Sequence, residues 1–206
     1  WADEDVQIGV LKDLASNAGI ALGRALDLVG IHKINPLTGT VSSMVKEGLI
    51  DTKQSSTLSG TKYDDAIEAA AGTIISAGYT PSGIAMDPAL SFGLSTMRDT
   101  TGRKIYPELG FGQNTSNFLG MNAAVSDTVS AKNEISVASK LLGIVGQFNA
   151  FRWGVQRSIG AHMIEYGDPD GLGDLQRQNQ IAIRAEIVYG IGILDSNAFA
   201  KIVSGE

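Results

Sequence analysis

The stretch Gln180-Ile181-Ala182-Ile183-Arg184-Ala185-Glu186-Ile187-Val188-Tyr189-Gly190-Ile191-Gly192-Ile193 decides the fold. Ile181, Ile183, Ala185, Ile187, Tyr189, Ile191 and Ile193 share one face at a period of two, and Gln180, Arg184 and Glu186 fall on the other. The spacing predicts a single half-buried strand of about 40 Å or more, bent where Gly190 and Gly192 stand. A second long element begins the chain. From Asp3 to Val29, the residues Val6, Val10, Leu14, Ala18, Leu22, Ala25 and Val29 recur at three- and four-residue spacing. That pattern predicts an amphipathic helix of about 37 Å. Asp3, Glu4 and Asp5 suit its positive N-terminal end, and Gly30 is read as its stop. A long helix and a long strand together predict an elongated α+β chain.

Shorter elements lie between them. A second helix is predicted over Tyr63 to Ala77, with Thr61 and Asp64 spaced like a capping box and Gly78 at its end. Its apolar face is Ala66, Ile67, Ala70, Ile74 and Ile75. Ile84-Ala85-Met86 reads as a strand. Asp87 then caps a short helix with Pro88 at its first position, reaching Met97. Thr100 to Arg103 is a tight turn. Leu119 to Val125 and Ser139 to Phe148 read as strands, and Ala150 to Val155 is expected to pair with the latter around Asn149. Ala161 to Tyr166 alternates again. Residues 40–60 read as short strands or loop, 110–117 as loop, and Gly167 to Gly173 as the strongest loop signal in the chain.

At 206 residues the chain is one large domain or two small ones. Charged residues are only 18%, which favours surfaces that meet other subunits. The net charge is −6 and the 16 basic residues are scattered, so recognition of nucleic acid is not expected. There are no cysteines, which excludes disulfides, thiolate metal sites and Cys nucleophiles. No run approaches 18 apolar residues, so no membrane span is expected. The first residues are acidic, unlike a signal peptide, and the chain starts at Trp1 without Met, as a cut product would.

No catalytic constellation emerges. His32 and His162 stand alone, without a partner at ligand spacing. Gly110/Gly112, Gly171/Gly173 and Gly190/Gly192 do not extend to a dinucleotide fingerprint. Asp168, Asp170 and Asp174 could hold a cation, but they miss the EF-hand pattern and read as an exposed turn. Asp64 and Asp65 are adjacent on a helix and do not face each other. Phe148, Phe151 and Trp153 near Arg152 read as packing or subunit contact rather than a ligand platform. No enzyme, cofactor or metal is expected.

The order of segments resembles the major capsid proteins of tailed bacteriophages, the Hong Kong 97-like family. The long helix runs into Gly30-Ile31-His32-Lys33-Ile34-Asn35-Pro36-Leu37-Thr38-Gly39. Gly83 to Ala89, then Leu94 to Arg103, is similar to the family's strand, short helix and D-x-x-G-R turn. Tyr106-Pro107 and Phe118-Leu119-Gly120-Met121 follow, with Asn122-Ala123 where the family usually has Pro-Val. Gly143 to Phe148 resembles its G-D-F strand end. Asp174 to Glu186, leading to Asn197-Ala198-Phe199, resembles its N-x-v-x-i-R-x-E segment and terminal A-F. The resemblance covers the whole chain.

It implies a peripheral domain with a long spine helix, at 1–59 plus 157–182, and an axial domain at 60–156 plus 183–206. It implies a structural subunit, in hexamers and pentamers, of an icosahedral shell around double-stranded DNA. The shell is the virion capsid and is assembled in the host cytoplasm. Scaffold, portal and decoration proteins are the implied partners, without sequence-specific nucleic acid or membrane. The family's N-terminal arm and extended hairpin would precede Trp1, so the chain is expected to be a core fragment. Some members join a Lys of that hairpin to an Asn, assisted by a Glu, and Asn179 and Glu186 occupy the matching positions. An encapsulin-like compartment shares the implied fold. A metal-dependent hydrolase using the Asp168 loop is the alternative from another class, and a carbohydrate-binding module would need an exposed aromatic strip.

Overall fold

The computed structural model describes residues 4–110, 117–133, 139–169, 171–178 and 181–205. The chain forms two compact units, Trp1–Ala25 with Trp153–Gly190 and Leu26–Arg152 with Ile191–Glu206. The implied domains put 26–59 in the first piece; the compact units put it in the second. Leu28 and Ile34 are buried with Ala131, and Ile31 and Leu49 with Ile144 and Phe199.

The larger unit is built on a six-stranded mixed sheet. Its strands are β1 (Gln54–Leu58), β2 (Gly83–Met86), β3 (Asn117–Phe118), β4 (Met121–Val125), β5 (Leu141–Gly146) and β8 (Phe199–Ser204), in the order β1-β8-β5-β2-β4-β3. β5 is buried at every residue because it is central, with β8 and β2 antiparallel on its two sides. Both edges of β5 are therefore taken. That is why residues 150–155 do not pair with it, contrary to the sequence expectation; they open β6 (Phe151–Ile164), whose partner is β7 (Ala182–Ile193).

Residues of β5 and β8 enter two cores, and a register shift between Leu141 and Gly143 breaks strict alternation along β5. Leu142, Val145, Ala200 and Ile202 meet helices α2 (Tyr63–Ser76) and α3 (Pro88–Thr96) through Ile67, Ile74, Leu90 and Leu94. Ile144 and Phe199 meet Ile31, Leu49 and Ala150. Each fully buried aliphatic side chain contributes about 1.5–3 kcal/mol, so these two layers hold the unit together.

Local chemistry fixes the helix ends. Asp87 Oδ1 accepts from the Ala89 N–H at 2.8 Å with Pro88 following, the expected start of α3. The predicted Thr61 cap does not form: Lys62 precedes α2 and gives no side-chain bond. Gly78 does terminate α2, at φ +87, but Ile75 points outward at 61% exposure. Leu119 and Gly120, expected inside a strand, form the left-handed two-residue turn of the β3–β4 hairpin, at φ 50 and 77.

Helix α1 spans Glu4–His32 and passes straight through Gly30. A Cβ at Gly30 would stand 3.1 Å from Phe151 Cζ, so this glycine permits close packing and does not stop the helix. The stop is Lys33, at φ 59, whose N–H still reaches the Val29 carbonyl at 3.0 Å. By length and composition, Lys12–His32 also reaches what a membrane span requires, which corrects the sequence expectation. Its last residues, Leu28 to His32, are nevertheless buried in the larger unit, where a lipid-facing helix end would be free.

β7 keeps the predicted alternation from Ile187 onward. Ile187, Tyr189, Ile191 and Ile193 are half-buried, with Val188, Gly190 and Gly192 exposed between them. Glu186, expected on the polar face, is half-buried too, and Ile181, expected on the inner face, precedes the strand and is 44% exposed. A two-stranded sheet is only marginally stable by itself. Trp153, Val155 and Met163 of β6 stay more than 40% exposed.

Candidate assembly surfaces

The groups that sequence reasoning weighed as chemistry are each used structurally or lie apart. His32 is 5% exposed, and its Nε2 lies 2.8 Å from the Val129 carbonyl and 3.2 Å from that of Thr128. This pins the end of α1 to the turn at 127–129. His162 is an exposed residue of β6. Asp168 Oδ1 accepts from the Gly173 N–H at 3.1 Å and Asp174 Oδ1 from the Arg177 N–H at 3.1 Å, so both carboxylates order their own loop. Asp170 lies outside the described residues. No group of three or more potential metal ligands occurs among the described residues. Phe148 packs edge-on against Phe199 at 5.6 Å and Phe151 packs on Gly30, while Trp153 is 56% exposed; the three form no platform. Of the crosslink candidates, Asn179 lies outside the described residues, and Glu186 is ion-paired to Arg184 on the same strand.

Two polar junctions lock the larger unit. At the first, Lys33 Nζ meets Asp51 Oδ2 at 2.6 Å, and the Gly48 N–H donates to the same oxygen at 3.0 Å. Burial pushes the Asp51 carboxyl up, but the Lys33 ammonium and the Gly48 N–H outweigh it and hold it below the usual range. Gly48 is required here, because a Cβ would stand 2.8 Å from the Ile31 carbonyl oxygen. A cleft of about 220 Å³ opens beside this junction, with Lys46, Lys53 and Ser196 on its walls. At the second, the Tyr79 hydroxyl donates to Asp195, whose other oxygen caps the Asn197 N–H at 2.8 Å. The Tyr79 bond foremost, then the cap, holds the Asp195 carboxyl low, and the same carboxylate pushes the Tyr79 phenol up. Sequence reasoning missed both junctions because their partners are 18 and 116 residues apart.

The turn at Asp99 is the most self-contained motif. Its Oδ1 accepts from the Thr101 hydroxyl, the Thr101 N–H and the Arg103 N–H at 2.7–2.9 Å, and these bonds, the hydroxyl first, hold the carboxyl low. Arg98 closes the turn onto the Gly102 carbonyl at 2.9 Å.

What the surface offers is apolar area. Leu37 is 91% exposed, Met44 93% and Val41 70%, all within one loop. Leu194 and Leu172 stand out elsewhere. Isolated exposed leucines need no explanation, but clusters mark contact sites. Such a surface suits extended protein–protein contact.

Residues 4–204 match the sequence model of the phage capsid family. None of the curated proteins compared with the chain matches it. A solved structure from Mycobacterium phage Ogopogo is 48% identical over the whole chain, at a TM-score of 0.89, and the chain covers 71% of it. One from Gordonia phage Cozz is 31% identical over 96% of the chain, at a TM-score of 0.84, and the chain covers 64% of it. The capsid of an empty GTA particle shares the fold, with a TM-score of 0.58 over 95% of the chain and 66% of its own length, at 14% identity. A fold held by buried layers, a surface of exposed apolar side chains and a family match over nearly every residue agree: the chain is a structural subunit of a viral shell and belongs to the phage capsid family.

Proposed function

We propose that this chain is the core of a major capsid protein of Hong Kong 97-like architecture. Copies in hexamers and pentamers close an icosahedral shell around a packaged double-stranded DNA genome, with assembly in the host cytoplasm. The observation that carries this is the capsid family match across residues 4–204. In this reading, the larger unit is the axial domain. The smaller, with most of α1, β6 and β7, is the peripheral one. A 29-residue helix of about 43 Å is the long helix that such a subunit needs. The role is structural and needs no catalysis. A net charge of −6 suits a wall that must not adhere to DNA. Scaffold, portal and decoration proteins are the partners that such a shell takes. On the resemblance alone, Asn179 is proposed as the residue that a Lys of a neighbouring copy joins, with Glu186 assisting as base; only monomers on denaturing intact-mass analysis of mature shells would remove that role.

The test is negative-stain electron microscopy of the complete gene product. Closed shells with five-fold vertices are expected. Small uniform particles at every concentration and salt tested would refute the proposal.

A further inference from the structure

We draw no further inference here: the strongest candidate, the apolar surface patch that Leu37, Val41 and Met44 form on the uncharged loop at 35–45, carries nothing because nothing in the structure shows what covers it.

Discussion

Two glycine-to-alanine substitutions should move the larger unit in opposite directions. A Cβ at Gly146, the last residue of β5, would stand 2.2 Å from Phe199 Cδ1, 2.8 Å from its Cε1 and 3.0 Å from the Ala198 carbonyl oxygen. Phe199 cannot move aside easily. It has no exposed surface, meets Phe148 edge-on, and its carbonyl accepts from the Thr52 hydroxyl at 2.5 Å. Overpacking against a ring so confined belongs at the upper end of the usual range, about 3 kcal/mol. Gly72 is the contrast: it is exposed inside α2, and a Cβ there would meet nothing within 4 Å. Replacing it by Ala should stabilise by up to about 1 kcal/mol through helix propensity alone. At a urea slope of about 2–3 kcal/mol per molar, Gly146→Ala should lower the unfolding midpoint by about 1 M or more. Gly72→Ala should raise it by about 0.3–0.5 M. Far-UV circular dichroism along a urea titration reads both, and the slopes must stay constant for the midpoints to report stability. An unchanged midpoint for Gly146→Ala would refute the argument that β5 is glycine there to admit Phe199.

Other consequences concern the caps and polar junctions. Asp87→Ala should cost about 1–2 kcal/mol in thermal or urea unfolding, because the Ala89 N–H loses its cap at the start of α3. Asp51→Asn should cost about 0.5–1 kcal/mol in the same assay, the Lys33 pair being part-exposed and screened. Because the folded Asp51 carboxyl is held low, that stability is present above its ordinary value of about 4 and is lost as pH falls through the folded one. Tyr79 has the opposite sign. Its raised phenol contributes stability below its ordinary value of about 10 and loses it as pH rises through the folded one, so Tyr79→Phe should flatten the alkaline limb of a melting profile.

Much of the fold was legible in local sequence. The period-two face of β7, the Asp87-Pro88 start of α3 and the Asp99 turn each depend on residues a few positions apart; the last two formed as read, and β7 kept its alternation from Ile187 onward. The resemblance to phage capsid proteins rested on the order of such segments. Readings that needed a distant neighbour failed. Gly30 looked like a stop because, in sequence, nothing marks Phe151 as lying over it. Leu119 looked like strand because its neighbours are apolar, yet pairing of Phe118 with Met121 makes it a turn.

The sequence by itself determined α1, α2, α3, most of β7 and the absence of cysteine in this chain, since periodicity, capping and composition are local properties; it broke β6, the longest strand, into two pieces. Only the tertiary structure decided which strands flank β5, which glycines admit a ring, and which carboxylates meet Lys33 and Tyr79. Those outcomes depend on contacts between residues far apart in the chain, as between Lys201 and the Ile50 carbonyl, 151 positions away. Chain closure over such separations is settled by packing of the whole core, which no local pattern encodes.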